Sequence, residues 1–224
     1  MYKQIDMPVL SDDDNGVCVS QTPAAGGVQS LTITGALATD GVATAAAAQI
    51  VTATWAGADA ARTLTVTFKD ADGISQTGTI AGANGTTSAG TFYAKSISAI
   101  SIDDDSAGAV EVGFLAASGA VTKSIPVNWK QTPFNLGAYF DLTAGTMTLS
   151  GQYTPDLPDP ALRGNTAWTN SYSTDADWRN IDGLTTVTAD DQSNIAFPVG
   201  SVRFIQTVGS ATGAATVTVT QGDY

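Results

Sequence analysis

The pattern that decides the fold lies in residues 62–80, RTLTVTFKDADGISQTGTI. Leu64, Val66 and Phe68 alternate with threonines, and this period of two is typical of a β-strand with one buried face. Asp70–Gly73 follows as a tight turn of the kind that aspartate and glycine favour. A second threonine-rich segment completes the stretch, so the sequence predicts an antiparallel hairpin.

The same alternation recurs along the chain and predicts an all-β protein with little helix. Glu111 is the only glutamate among 21 acidic residues, and aspartate favours turns over helices. Residues 43–50 contain four consecutive alanines and admit either a short helix or a strand. The alternating apolar positions are Ile97, Ile100, Ile102, Val110, Val112, Phe114, Met147, Leu149, Val202, Phe204, Val217 and Val219.

Composition excludes several classes of function. The 224 residues contain nine Lys plus Arg, no histidine and a formal net charge of −12. Without histidine there is no Ser-His-Asp triad and no His-ligated metal, and the sequence predicts a protein that is not an enzyme. The acidic balance opposes direct nucleic-acid binding. We expect no membrane contact, because no run of about 18 apolar residues occurs and no signal peptide is visible.

An internal duplication is indicated by residues that recur 105 positions later, although chance matching of valine–threonine alternation is the alternative. Two other matching strands, one around Leu64 and one around Met147, are only 83 positions apart. The second copy would therefore contain an insertion after its first matching strand. The matched pairs are Phe92 with Phe197, Ile97 with Val202, Ile100 with Ile205, Gly108 with Gly213, Val112 with Val217 and Phe114 with Val219.

The predicted organisation is an N-terminal arm at residues 1–27 followed by two tandem antiparallel β-sandwich units, jelly-roll or immunoglobulin-like. The first unit spans 28–125 and the second spans 126–224, with a long insertion loop at 155–194. This loop begins with three prolines in six residues, which prevent regular strand pairing. Because the loop departs from the repeat, we expect that the core of the fold does not need it.

Aromatic residues in two segments are the candidate interface. Trp129 and Phe134 flank a proline, and they either close the second sandwich or contact another subunit. Trp168, Tyr172 and Trp178 lie in the insertion loop, where they either cover the second sandwich, contact a partner, or bind a sugar together with nearby aspartates.

Aspartates and the single cysteine are weaker candidates. Asp103, Asp104 and Asp105 form either a solvated turn or a weak Ca²⁺ site, and no other cofactor is expected. The cluster at residues 12–16 lacks the acidic twelfth position of an EF-hand loop. Cys18 cannot form an intrachain disulfide and lacks a histidine that could activate it, so we expect a buried structural thiol.

Five segments of the chain resemble small virion proteins of tailed bacteriophages. They are residues 62–85, 93–103, 107–113, 127–136 and 197–203. The resemblance extends over roughly residues 28–221 and carries no enzymatic signature.

This resemblance implies a structural protein of the virion, assembled in the host cytoplasm. It would be a capsid decoration (cement) protein or a head–tail neck protein, bound to the major capsid protein or to neck and portal-associated proteins. We expect a homotrimer or a higher symmetric oligomer. The alternative is a tail-fibre or head-fibre module that binds a receptor or glycan through the loop between Trp168 and Trp178.

Overall fold

The computed structural model describes residues 1–7, 9–115, 117, 119–156, 176–207 and 213–222. Within these residues it contains seventeen β-strands and no α-helix. The chain divides into two compact units. The central unit is Leu10–Ala120, and the terminal unit combines Met1–Val9 with Val121–Tyr224. No helix in the described part of the chain is long and apolar enough to cross a membrane.

The central unit is built from antiparallel strands in the order β2-β9-β5-β8-β6-β7, with β4 beside β5 and β3 beside β8. The strands are β2 (Asp13–Gln21), β3 (Gln29–Leu31), β4 (Ala38–Thr39), β5 (Val42–Trp55), β6 (Thr63–Lys69), β7 (Ser75–Ala81), β8 (Thr87–Ile102) and β9 (Val110–Phe114).

One hydrophobic core fills the central unit. The two ends of the strand order, β2 and β7, contribute Val17 and Ile80 to the same core cluster. The strands therefore wrap around a shared interior rather than lying in a flat sheet. Trp55 and Phe114 are the largest fully buried side chains of this core among the described residues.

The terminal unit packs two antiparallel sheets face to face. One has the order β1-β17-β12-β15, and the other has the order β14-β13-β16-β11. Phe140 of the first sheet meets Phe204 of the second edge to face, with ring centroids 5.4 Å apart. The strands are β1 (Tyr2–Met7), β11 (Ile125–Pro126), β12 (Leu136–Ala144), β13 (Thr148–Thr154), β14 (Arg179–Asn180), β15 (Asp191–Ile195), β16 (Ser201–Thr207) and β17 (Ala214–Gln221); β10 (Ala120–Val121) lies at the division.

The predicted all-β architecture of two antiparallel β-sandwich units with little helix is confirmed. The predicted hairpin is formed by β6 and β7, and the amide of Gly73 donates to the carbonyl of Asp70 in its turn. The alanine-rich segment is part of strand β5 and not a helix. Its pairing with β8 shifts register there, and the Nζ of Lys95 donates to the carbonyls of Ala45 and Ala46 at 2.7 Å. The lysine side chain thus provides a hydrogen-bond donor to two backbone carbonyls where the register shift interrupts strand pairing.

The structure divides the chain differently from the predicted domains. Residues 1–27 do not form a separate arm, because β1 pairs with β17 in the terminal unit and β2 pairs with β9 in the central unit. The division near the middle falls between Ala120 and Val121. Strand β1 is mostly exposed and polar, so its alternation did not reveal its distant partner strand.

The expectation that the core does not need the insertion at 155–194 is wrong for its second half. Strand β15 belongs to the four-stranded sheet, and Ile181 and Leu184 are buried. Both side chains pack over Gly151 of β13, where an added Cβ would lie 2.9 Å from the Cδ1 of Ile181. A glycine there makes room for these two side chains in the core.

The two units arrange corresponding strands in similar ways. Strand β9 lies between β2 and β5, and strand β17 lies between β1 and β12. The residue-level match is less close. Leu64 pairs with Ile102 in the central unit. Offsets of 83 and 105 positions would therefore pair Met147 with Thr207, but Thr207 pairs with Thr148. Duplication of the chain remains a prediction.

Candidate functional site

The segment that contains Trp129 is anchored at one end of the terminal unit. The amide of Val127 donates to the carbonyl of Gly200 at 3.1 Å, which extends the pairing of β11 with β16. The buried side chain of Gln221 holds Asn128 through two hydrogen bonds, accepting from its amide at 2.9 Å and donating to its carbonyl at 2.8 Å. Trp129 is the next residue after Asn128, so the buried side chain of Gln221 fixes the position of its backbone.

Trp129 and Phe134 have different surroundings. Trp129 is 37% exposed, and the Nζ of Lys130 lies 5.2 Å from its ring centroid. Phe134 is only 7% exposed, so it packs inside the unit. Phe134 therefore fits the interpretation that these aromatic residues close the second sandwich. A role in subunit contact remains a prediction, and of the two residues only Trp129 is exposed enough for it.

Phe197 is a candidate contact residue that the sequence reasoning missed. It is 50% exposed, and its ring packs edge to face on Tyr153 with centroids 5.2 Å apart. The repeat had matched it with Phe92, which instead stacks on Phe68 in the central unit. The exposure of Phe197 could have been inferred from the next residue, Pro198. A proline ends regular strand pairing and so leaves the side chain before it outside a strand.

In the insertion loop, Trp168 and Tyr172 lie outside the described residues. Trp178 is half-buried, and the guanidinium carbon of Arg203 lies 4.1 Å from its ring centroid. The Nε of Arg203 donates to the Oε1 of Gln152 at 2.9 Å, which holds the guanidinium under the ring. This geometry fits the interpretation of Trp178 as a cover over the sheet; its contact with a partner or a sugar remains a prediction.

The acidic turn binds an arginine of its own unit. The guanidinium of Arg62 lies 3.6 Å from Asp104 and 3.2 Å from Asp105. Hydrogen bonds from the backbone amides of Gly27 and Asp105 lower the pKa of Asp104. Among the described residues no group of three or more acidic or cysteine side chains is placed to hold a metal ion. Weak Ca²⁺ binding by Asp103, Asp104 and Asp105 remains a prediction.

Cys18 is a buried free thiol, as predicted. It lies on β2 opposite Val112, and burial, followed by the charge of Glu111, raises its pKa from 9.0 to about 11. The thiolate is the reactive form, so the native environment suppresses the chemistry of this side chain.

We therefore expect Cys18 to resist alkylation by iodoacetamide at pH 8 in the native protein. A pKa of about 11 leaves roughly a hundredfold less thiolate than the ordinary value of 9.0 does. Mass spectrometry should show labelling at least about a hundredfold slower than in 8 M urea. Equal labelling rates would mean that β2 opens readily from the central unit.

No protein-family model matches the chain, and no curated protein matches it. Among solved structures, a similar chain is the N-terminal CBM22-1–CBM22-2 tandem domain of Xyn10C from Paenibacillus barcinonensis. It is 11% identical, with 96% of this chain and 100% of that chain covered, and the TM-score is 0.27. A likeness at this TM-score carries no argument about function.

Proposed function

We propose that this protein is a non-enzymatic structural protein of a tailed-phage virion. It binds the outside of the capsid or the head–tail neck and stabilises the particle through contacts between subunits. Its partners are the major capsid protein or neck and portal-associated proteins, and its own assembly is a homotrimer or a higher symmetric oligomer. The sequence resemblance suggests this role, and one feature of the terminal unit supports it.

That feature is a pair of exposed aromatic rings at the same end of one β pairing. Trp129 follows β11, Phe197 precedes β16, and the two segments are joined by the hydrogen bond between Val127 and Gly200. Both rings belong to segments that resemble the virion proteins, residues 127–136 and 197–203. Two segments of the resemblance, which are distant in sequence, thus lie side by side in the fold.

The chemistry of this aromatic pair suits a contact surface. Tryptophan and other aromatic residues dominate the energetics of many interfaces because they bury a large area with few rotatable bonds. Covering the exposed part of each ring would contribute about 1–3 kcal/mol to binding. Tyr153 already packs against Phe197, so less freedom of the ring is lost on binding.

The charge of the chain favours the outside of the shell. A formal net charge of −12 repels packaged DNA, whereas it imposes no such penalty on the outer surface. With few charged side chains, its surface relies on threonine, serine, asparagine and glutamine to make hydrogen bonds to neighbouring subunits.

The test uses phage particles assembled without this protein, to which the purified chain is added. We expect Trp129→Ala combined with Phe197→Ala to lower the bound copy number at least about tenfold, since two contact rings are lost. The melting temperature should fall by no more than about 4 °C, because both rings are substantially exposed. Cryo-electron microscopy of the particles measures occupancy and position.

Ile74→Ala is the matched control, since Ile74 is an exposed apolar residue in the central unit. It should bind particles as the unsubstituted protein does. Density on capsomers would identify decoration, density at one vertex would identify a neck component, and sedimentation of the free protein measures the expected trimer. Failure of the unsubstituted protein to bind, or full binding by the double variant, would contradict the proposal.

A further inference from the structure

A groove of about 430 Å³ lies on the outer face of β12, β15 and β17 in the terminal unit. Its centre is Gly137, which pairs with Thr220 on one side and with Asn194 on the other. Directly paired residues project from the same face of a sheet, so a missing side chain between two present ones leaves a hollow. The volume lies within the range of about 300–1,000 Å³ that is typical of small-molecule sites.

The next row of the sheet supplies an aromatic ring beside this hollow. Tyr139 pairs with Thr218 and with Gln192, and it is 40% exposed. Tyr2 of β1 pairs with Thr220 at the margin of the groove and is also exposed. Partial desolvation, followed by the charges of Asp190 and Asp141, raises the pKa of Tyr139. A phenol is already neutral at physiological pH with its ordinary pKa, and this shift favours the neutral form further, so the group can both donate and accept a hydrogen bond.

The side chains that line the groove are uncharged and rich in hydrogen-bonding groups. The lining residues are Gly137, Ala138, Tyr139, Gln192, Ser193, Asn194, Thr218 and Thr220. Hydroxyl and carboxamide groups offer both donors and acceptors, as a ligand with many hydroxyl groups requires. No lysine or arginine lines the groove to hold an anion.

Hydrogen bonds hold parts of this lining in place before any ligand binds. The Nδ2 of Asn194 donates to the Oδ1 of Asn135 at 3.1 Å on the groove face. Ser193 pairs with the buried Ala138, so its side chain projects from the opposite face, where its hydroxyl donates to the carbonyl of Asp182 at 2.6 Å and holds the backbone of β15. The floor consists of three hydrogen-bonded strands. A preformed site of this kind loses little conformational entropy on binding.

We propose that this groove binds a neutral carbohydrate. The sugar hydroxyls would bond to Thr218, Thr220, Gln192 and Asn194, and a sugar ring would lie over Gly137 with its apolar face against Tyr139. The net charge of −12 disfavours acidic polysaccharides. None of these residues lies between Trp168 and Trp178 in the sequence, and this site does not depend on the proposed virion role.

The experiment applies the purified full chain to an array of neutral oligosaccharides of glucose, xylose, mannose and galactose. Sialylated and uronic-acid oligosaccharides on the same array serve as charged probes. We expect retention of neutral oligosaccharides, with the affinity for the best of them then measured by isothermal titration calorimetry. Absence of neutral binding at millimolar concentration, or binding of charged probes alone, would overturn the proposal.

Gly137→Val fills the hollow without entering the core, since an added Cβ would meet first the rotatable hydroxyl of Thr220 at 2.8 Å. We expect it to weaken binding at least about tenfold, and we expect Tyr139→Ala to do the same. Tyr139→Phe keeps the ring and should stay within about threefold.

Thr216→Val on the same face, outside the lining, is the control and should bind as the unsubstituted protein does. A thermal melt of each variant checks that it is folded. Unchanged affinity in both Gly137→Val and Tyr139→Ala would place the sugar elsewhere and overturn the assignment.

Discussion

Replacing residues 1–7 by a single methionine should unfold the terminal unit while the central unit stays folded. Strand β1 pairs with β17 along its whole length, from Tyr2 opposite Thr220 to Met7 opposite Ala215, and the amino terminus donates to the carbonyl of Gln221. Each backbone hydrogen bond contributes about 0.5–1.5 kcal/mol, so the strand as a whole contributes several kcal/mol. Its loss would also expose β17 as an unpaired edge.

Hydrogen–deuterium exchange with mass spectrometry separates the two units in this experiment. Peptides from residues 121–222 should lose protection, whereas peptides from residues 10–115 should keep it. A synthetic peptide of residues 1–9, added in excess, should restore protection by pairing again with β17. Substituting the exposed Tyr2 and Lys3 by alanine keeps the backbone pairing and is the control. Full protection in the truncated protein would contradict the importance of β1.

Trp55→Ala should destabilise the central unit by about 3–5 kcal/mol, the range for removing a buried aromatic side chain. Trp55 is 1% exposed, and its Nε1 donates to the hydroxyl of Ser88 at 2.9 Å. That hydroxyl also donates to the carbonyl of Ala81 at 2.7 Å, so Ser88 keeps a partner when the indole is removed. Most of the expected loss of stability therefore comes from the packing contacts of the indole ring and from the cavity that its removal leaves.

The stability of the central unit is measured by hydrogen exchange of residues 10–115 in increasing urea. Trp55→Phe keeps most of the volume and should cost only about 1–2 kcal/mol. Trp129→Ala removes an exposed tryptophan from the other unit and should leave the central unit unchanged. A loss below about 1 kcal/mol for Trp55→Ala would show that the core closes around the missing ring.

Only part of the candidate site could be predicted from the sequence. Trp129 stood out because it and Phe134 flank a proline, and because interfaces favour aromatic residues and Arg or Lys. Phe197 did not, because exposure depends on where its segment leaves the sheet, beside Gly200 and Val127. The groove at Gly137 was also hidden, since a glycine forms a hollow only when neighbouring strands place side chains on both sides.

The sequence by itself determined the kind of structure and, in clearly alternating strands such as β6, the face that is buried. Leu64, Val66 and Phe68 are all buried, as their alternation with threonine predicts, because successive residues of a strand point to opposite faces. The turn at Asp70–Gly73 was likewise encoded locally, by the carboxylate of Asp70, which accepts hydrogen bonds from the amides of Asp72 and Ile74.

Only the tertiary structure decided which strands are partners. Strand β1 pairs with β17 from the opposite end of the chain, and Leu184 of the insertion is buried over Gly151. The physical reason is that pairing between strands is made by backbone N–H and C=O groups, which are the same in every residue except proline. Alternation therefore specifies a buried face, whereas the partner is selected by the packing of the whole core.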